Sequence, residues 1–282
     1  MEITSSSDTP QARFRSGAVE LLADADRPGG WLLLTDRIRQ SYVDLDDPTY
    51  LDFEYVQAFA DVIDLLPDGP IAVTHIGGAG CTLARYVAAS RPRSTQIVFE
   101  PDTALTETVR ARLPFPRGAR IRVRAQDGRG GLAAVRDASA DVVVLDAYLG
   151  GRVPGELTTV EFVTDVARVL RPDGVLLANL ADGPPLRYTR RTVSTVASVL
   201  PTVTVRADPA VFRGRRFGNV VLAASAGPLP VEELARAASA AMFPQRVLAG
   251  DALTRFVGKA PLLTDEDQMR SPAPPDDLWR VQ

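Results

Sequence analysis

Residues 71–85 read IAVTHIGGAGCTLAR, an apolar run, a glycine turn and a helical pattern, and they open the stretch that decides the fold. Three more apolar runs each end at an acid: QIVFEPD at 96–102, RIRVRAQDG at 120–128 and DVVVLD at 141–146. Strands alternating with helices predict parallel pairing with right-handed crossovers. Glu100, Asp127 and Asp146 are then expected at the carboxyl edge of the sheet, where open α/β folds bind ligands.

The chemistry of this edge favours a nucleoside ligand. Three acids and a glycine turn suit a ribose and an adenine better than a pyrophosphate. A nicotinamide dehydrogenase fits poorly, because residues 77–82 (GGAGCT) do not supply the Gly-x-Gly-x-x-Gly pattern of a dinucleotide site.

Composition narrows the class of protein. The chain has 282 residues, 45% hydrophobic and 24% charged, with a net charge of −3, which is ordinary for a soluble globular protein. No apolar run approaches the roughly 18 residues of a membrane span, and residues 1–16 lack a signal-peptide core. We therefore expect a cytoplasmic protein with no nucleic-acid or membrane partner.

Three residue types occur only once: Cys81, His75 and Lys259. This scarcity argues against a disulfide, a cysteine or multi-histidine metal site and a Schiff-base enzyme. His75 is interpreted as a core residue with its hydrogen bonds satisfied, and Cys81 as a small residue at a helix start that packs near the ligand and is not a nucleophile. The chemistry must then use carboxylates, tyrosines, backbone amides or a cofactor, and we expect no metal.

The chain divides into four predicted segments: a disordered N-terminus at 1–16, a small β-hairpin lobe at 17–48, a nucleoside-binding domain at 49–262 and an extended tail at 263–282. The turn Arg27-Pro28-Gly29-Gly30 between two apolar runs indicates the hairpin. Asp46-Asp47-Pro48-Thr49 is expected to open a helix to about Leu66, with Thr49 as its cap.

The pattern changes near the end of the main domain. Strand candidates at 202–207 and 219–224 are joined by the loop Asp208–Gly218, in which no helix is expected, so the two strands should be antiparallel. The predicted fold class is α/β, a mostly parallel Rossmann-like sheet with a terminal antiparallel strand and a β-rich N-terminal lobe. This is the arrangement of class I S-adenosylmethionine-dependent methyltransferases and their relatives.

At residues 31–224 the sequence resembles the spermidine synthase family, the polyamine aminopropyltransferases, and looks closest to a divergent branch associated with actinobacteria. The resemblance rests on the order and spacing of WLLLTDRIRQ at 31–40, IGGAGCTLAR at 76–85, VFEPD at 98–102, QDG at 126–128 and VVVLD at 142–146. It implies S-adenosylmethionine or its decarboxylated form as co-substrate and a small-molecule acceptor. Related proteins often form dimers, so a homodimer is left open.

The resemblance also implies residue roles around the ribose. Small side chains at Gly77, Gly78 and Gly80 would let the backbone approach the ligand. Glu100 would accept hydrogen bonds from the two ribose hydroxyls, because a carboxylate's two oxygens suit a cis-diol. The alternatives are a simple tight turn for the glycines and a helix cap for Glu100.

Further roles follow around the base and the sulfonium. Asp127, with Gly128 beside it, would accept from the adenine amino group, Asp146 would lie beneath the sulfonium, and Gln40 would close over the ligand. Asp127-Gly128 as a mere turn and Gln40 as a surface residue are the alternatives.

Two departures from the family pattern affect the acceptor side. The glycine turn lacks the family's aspartate, and Leu149 stands where a second acid would activate the acceptor amine. Asp146 and Asp182 are the candidates for the proton acceptor. Tyr148 or Tyr42 could supply a hydrogen bond.

Two charged clusters near the site predict acceptors of opposite charge. The loop between the last two strands carries Arg213, Arg215 and Arg216, which would favour an anionic acceptor, whereas Asp44, Asp46 and Asp47 would attract a cation. Solvated turns are the alternative for both. Three functions stay open: aminopropyl transfer to an amine, methyl transfer to a small acceptor that could be anionic, and nucleoside binding without turnover.

Overall fold

A computed structural model describes residues 13–16 and 18–275 and contains two sheets. The strands are β1 Arg13–Ser16, β2 Val19–Ala23, β3 Gly30–Thr35, β4 Ile38–Asp44, β5 Ala72–Ile76, β6 Thr95–Phe99, β7 Arg120–Arg124, β8 Ala140–Leu145, β9 Leu170–Asp182, β10 Thr202–Ala207, β11 Gly218–Ser225 and β12 Arg246–Leu248. The helices are α1 Glu54–Asp64, α2 Thr82–Ser90, α3 Thr103–Arg112, α4 Gly128–Ala133, α5 Val160–Val169, α6 Arg187–Ala197, α7 Pro209–Phe212, α8 Val231–Ala240 and α9 Gly250–Val257, and a 3-10 turn covers Gly155–Leu157.

The N-terminal lobe is an antiparallel sheet of β1 to β4 in sequence order. The predicted hairpin is confirmed, since β2 pairs with β3 across the turn at Gly29-Gly30. A Cβ at Gly30 would lie 2.0 Å from the Tyr42 hydroxyl, so only glycine fits there. Of the predicted disordered segment 1–16, residues 13–16 form β1, and residues 1–12 lie outside the described residues.

The main sheet has the order β12-β10-β11-β9-β8-β5-β6-β7. The strands from β9 to β7 pair in parallel, whereas β11 is antiparallel to both β9 and β10. The predicted fold class is therefore confirmed. The short strand β12, which sequence reasoning missed, pairs antiparallel with β10.

Two local predictions were wrong. The loop after β10 does contain a helix, the single turn α7, because Asp208 caps it and Pro209 suits its first position. Helix α1 begins at Glu54 and not at Thr49. The Asp47 carboxylate accepts from both the backbone and the hydroxyl of Thr49, which holds this segment in a turn.

Each face of the main sheet carries an apolar core. On β8, Val143 and Leu145 pack on one face, and Val142 and Val144 on the other, as the strand's two-residue period requires. Helix α5 covers the first face and α1 the second. This double packing holds the carboxyl edge of the sheet in place. Within the described residues, no helix is long and apolar enough to cross a membrane.

Residues 263–275, which we call the C-terminal strap, contain no helix or strand and lie against the main domain. Leu263 and Ser271 are fully buried. The Ser271 hydroxyl accepts from the Val153 amide at 2.8 Å, and Arg152 Nε donates to the Ser271 carbonyl at 2.6 Å. The strap therefore supports the loop after β8. Residues 276–282, the rest of the predicted tail, lie outside the described residues.

Candidate active site

A cavity of about 880 Å³ lies between the N-terminal lobe and the carboxyl edge of the main sheet. The structure brings eight predicted site residues to its wall: Gln40, Gly77, Gly78, Glu100, Asp127, Gly128, Asp146 and Tyr148. The other two, Gly80 and Asp182, lie elsewhere. The family-derived and strand-end predictions thus converge on one cavity.

The glycine turn after β5 has no room for larger side chains. A Cβ at Gly77, where φ is +83°, would lie 2.3 Å from the Asp146 carbonyl oxygen, and one at Gly78 would lie 2.5 Å from Val98. Gly80 lies against the N-terminal lobe. Its amide donates to the Ser41 hydroxyl at 3.0 Å, and a Cβ there would meet Ser41 at 2.8 Å. Gly80 therefore lets the N-terminal lobe approach closely, and it does not line the cavity.

Glu100 follows β6 and reaches across to the glycine turn. One carboxylate oxygen accepts from the amides of Gly78 at 3.2 Å and Ala79 at 3.3 Å, and the other accepts from Asp102 at 3.0 Å. The cap of α3 is Asp102, whose side chain accepts from the Leu105 amide. A carboxylate offers about four acceptor positions, so Glu100 keeps capacity for a ligand hydroxyl.

Asp127 is exposed at the other end of the same wall. One oxygen accepts from the Gly130 amide at 2.8 Å and caps α4, while the second oxygen makes no hydrogen bond with the described residues. A Cβ at Gly128 would lie 2.2 Å from the Ile76 side chain, so glycine is required beside it. Asp127 is both a helix cap and a cavity residue.

Gln40 occupies a β-bulge in the N-terminal lobe. Leu33 pairs with Ser41 and Leu34 pairs with Arg39, which leaves Gln40 as the extra residue of β4. A bulge re-aims the inserted side chain, and Gln40 lines the cavity. Its position on the lobe is compatible with the predicted closure over a ligand.

The floor of the cavity carries Asp146 with two partners that sequence reasoning missed. Tyr55 of α1 donates its hydroxyl to one carboxylate oxygen and Asn179 of β9 donates its amide to the other, both at 3.1 Å. Burial raises the pKa of Asp146 to about 6, although the two hydrogen bonds oppose the rise. Asn179 Oδ1 is buried and has no hydrogen-bond partner among the described residues.

Of the two missed residues, only Asn179 has a recognisable signal in the sequence. Asn179 is a polar residue inside the apolar run VLLANLA at 175–181, and a buried polar side chain is an informative signal. Tyr55 offered no such signal, because its role depends on α1 packing over the face of the main sheet that carries Val142 and Val144.

The remaining two predicted catalytic residues are engaged with backbone groups. The Tyr148 hydroxyl donates to the Asn179 carbonyl at 3.0 Å, and burial raises the Tyr148 pKa well above its usual value. Asp182 is buried and accepts from the amides of Gly183 and Thr189, both at 2.8 Å. Its carboxylate organises the start of α6 and does not line the cavity, so this geometry lends no support to its prediction as a proton acceptor.

Leu149, at the position of the missing second acid, is 70% exposed and lines the cavity. Its amide and carbonyl pair with those of Arg152. Between them, Gly150 and Gly151 both have positive φ, +58° and +74°, as a type I′ two-residue turn requires. An apolar side chain on a tight hairpin thus replaces the acid.

The cavity is acidic overall. Nine carboxylates and four arginines occur among the described residues that line it. Of the three loop arginines, only Arg216 lines the cavity, and it pairs with Asp208 at 3.3 Å. Arg213 and Arg215 are exposed elsewhere. Such a field favours a cationic ligand and gives the proposed anionic acceptor little support.

The acidic cluster of the N-terminal lobe lies outside the cavity lining. Asp44 accepts from Arg27 Nε at 2.8 Å and from the amides of Asp46 and Asp47, each at 2.9 Å. It therefore stabilises the turn after β4, in agreement with the structural alternative.

The lone histidine and cysteine are core residues, as predicted. His75 bonds to Gln96 at 2.9 Å, and burial lowers its pKa to about 4, so the ring is neutral. Burial raises the pKa of the Cys81 thiol to about 12, which disfavours a nucleophilic thiolate. No group of three or more metal-ligating side chains occurs in the described part of the chain.

The fold and this cavity define a methyltransferase-type α/β protein. No family model matches the chain. A probable spermidine synthase from Corynebacterium glutamicum has a similar structure, with a TM-score of 0.83 and 29% identity over 90% of this chain and 96% of that one. The chain is thus spermidine-synthase-like in sequence and structure.

Two other comparisons agree. A polyamine aminopropyltransferase from Chromobacterium violaceum is 29% identical over 145 residues, which cover 51% of this chain and 55% of that protein. The matched region thus spans only about half of that relative. A spermidine synthase solved with the transition-state analogue AdoDATO has a TM-score of 0.57 at 18% identity, over 79% of this chain and 75% of that one, and supports the fold alone.

Proposed function

We propose that this protein transfers an aminopropyl group from decarboxylated S-adenosylmethionine to an amine. The observation that carries the proposal is the hydrogen-bonded cluster of Asp146, Tyr55 and Asn179 at the floor of an acidic cavity. The similarity to aminopropyltransferases supports it, whereas methyl transfer and binding without turnover receive no comparable support.

The nucleoside half of the donor fits the wall from Glu100 to Asp127. Glu100 would accept from the ribose hydroxyls, and the second oxygen of Asp127 would accept from the adenine amino group. Gln40 would approach from the lobe. The donor's sulfonium would then lie near Asp146, where a carboxylate stabilises the positive charge.

The reaction needs a neutral attacking amine. Its nitrogen lone pair attacks the carbon bonded to sulfur, the carbon–sulfur bond breaks, and the electron pair stays on sulfur to give methylthioadenosine. Asp146 would take the proton that nitrogen loses, because a carboxylate with a pKa near 6 is largely ionised at neutral pH yet more basic than an ordinary aspartate. Tyr55 and Asn179 orient the carboxylate.

The test is an incubation of purified protein with an amine panel and either decarboxylated or intact S-adenosylmethionine, followed by mass spectrometry. We expect methylthioadenosine and an amine heavier by one aminopropyl group with the decarboxylated donor. Methylated product with the intact donor would replace the proposal by methyl transfer. No product with either donor, despite nucleoside binding, would support a non-catalytic protein.

The other expectations from the sequence stay predictions. These are the division at 17–48, 49–262 and 263–282, a cytoplasmic location, a homodimer, and the lack of a metal, nucleic-acid or membrane partner.

A further inference from the structure

A diamine acceptor carries a second ammonium besides the attacking amine. The acceptor end of the cavity must then bind that second charge as well. Asp146 is committed to the reacting nitrogen in the proposed mechanism. Leu149, on the wall at the position of the missing acid, offers no charge to a second one. Another carboxylate on this wall could receive a distal cation, and the structure contains a candidate.

Glu54 lines the cavity and immediately precedes Tyr55 on α1. Gln245 donates its amide nitrogen to one Glu54 oxygen at 3.1 Å. Arg206 Nε donates to the amide oxygen of the same glutamine at 2.5 Å. Arg206 is buried and forms an ion pair with Asp61.

These contacts determine the direction of each hydrogen bond in the network. Because Arg206 can only donate, the oxygen of Gln245 must face Arg206 and its amino group must face Glu54. The charge of Arg206 is matched directly by Asp61, and a neutral amide separates it from Glu54. Glu54 is therefore oriented without being neutralised, and its second oxygen makes no hydrogen bond within the described residues.

Other carboxylates at this end are less available. Asp208 uses one oxygen on the Ala210 amide and the other on Arg216. Asp52 is exposed and lies outside this network. Among the described carboxylates at this end, Glu54 combines an open oxygen with a positioned side chain.

We propose that Glu54, held by Gln245 and Arg206, binds the distal ammonium of a diamine or polyamine acceptor. The inference rests on the proposed function and deepens it, since it assigns the second charge of the acceptor to a residue of α1. Glu54 is then a specificity residue that selects acceptors by the presence and spacing of a second cation.

The experiment compares diaminoalkanes of increasing length with monoaminoalkanes of the same length, titrated calorimetrically into protein saturated with methylthioadenosine. Glu54→Gln keeps the shape and removes the charge. Glu156→Gln is the matched control, because Glu156 is another cavity-lining glutamate, located on the 3-10 turn after β8. Melting temperatures check that each variant is folded.

We expect Glu54→Gln to weaken the preferred diamine roughly 10- to 100-fold, as for loss of a charged hydrogen bond. Monoamine binding and the Glu156→Gln variant should stay within a few-fold of the wild type. Equal losses for diamines and monoamines, or equal losses in both variants, would overturn the assignment in favour of a general charge effect. Wild-type protein that prefers no diamine would overturn it as well.

The two proposals fail in distinguishable ways. The diamine titration is repeated without nucleoside, so it decides the role of Glu54 even if methylthioadenosine does not bind. Lack of nucleoside binding, or lack of aminopropyl product with every amine, refutes the proposed function. Product formation with an unchanged diamine preference in Glu54→Gln refutes only the distal site.

Discussion

Replacing Asp146 by asparagine separates the catalytic from the structural consequences of a partly buried carboxylate. The asparagine side chain has nearly the same shape and removes the ionisable group. Folding raises the pKa of Asp146 from 3.8 to about 6, so burying the ionised form has a cost that the variant avoids. The variant should therefore be more stable and much less active.

The magnitude follows from the pKa difference. Each unit corresponds to about 1.4 kcal/mol, so a rise of about two units costs at most roughly 3 kcal/mol. Below about pH 4 the carboxyl is protonated in both the folded and unfolded states, and the cost is absent. It grows as the pH rises from about 4 to 6, because the unfolded state ionises first, and is fully present above that range.

Urea unfolding of the wild type and Asp146→Asn at several pH values between about 4 and 7 measures this effect. We expect the stability advantage of the variant to increase by up to roughly 3 kcal/mol across that range. Aminopropyl transfer should fall by about 10²- to 10⁴-fold, as for loss of a general base, with methylthioadenosine affinity little changed. A pH-independent stability difference, or a fully active variant, would refute the reasoning.

Three further substitutions test other parts of the site. Tyr55→Phe removes a hydrogen bond that lowers the pKa of Asp146, so the acidic limb of the kcat–pH profile should move to higher pH. An unchanged acidic limb would show that Tyr55 does not affect the pKa of this carboxylate. Glu100→Ala should weaken methylthioadenosine binding by roughly 10- to 100-fold in calorimetry, and unchanged affinity in a folded variant would remove Glu100 from the site. Ser271→Ala leaves the buried Val153 amide without its hydrogen-bond acceptor and should lower the free energy of unfolding in urea by about 1–3 kcal/mol. An unchanged free energy of unfolding would show that the strap contributes little to stability.

Sequence periodicity predicted the sheet well because strand ends, glycine turns and acids recur locally. Glu100, Asp127 and Asp146 each follow an apolar run, and parallel strands bring such positions to one edge. The same rule does not reveal that the Asp182 carboxylate accepts hydrogen bonds from the Gly183 and Thr189 amides as α6 begins. A strand-end position does not reveal which way the following chain turns.

Local sequence patterns could not predict contacts between residues that are far apart in the chain. Tyr55 meets Asp146 across 91 positions, and Gln245 meets Glu54 across 191. Gln40 was selected through the resemblance, but the bulge that re-aims it depends on pairing with β3. The helix start at Glu54 was missed because the Asp47 side chain competes with a helical cap for Thr49.

The position of the C-terminal strap in the chain allows the two sheets to form before the strap docks. Every strand of both sheets precedes residue 249, whereas the strap begins at Leu263. A chain emerging from the ribosome at roughly 5–20 residues per second can pair its strands before Ser271 reaches the Val153 loop. The wall that carries Leu149 is then the last part of the cavity to be supported, and a nascent chain would hold a nucleoside-binding edge before its acceptor side is complete.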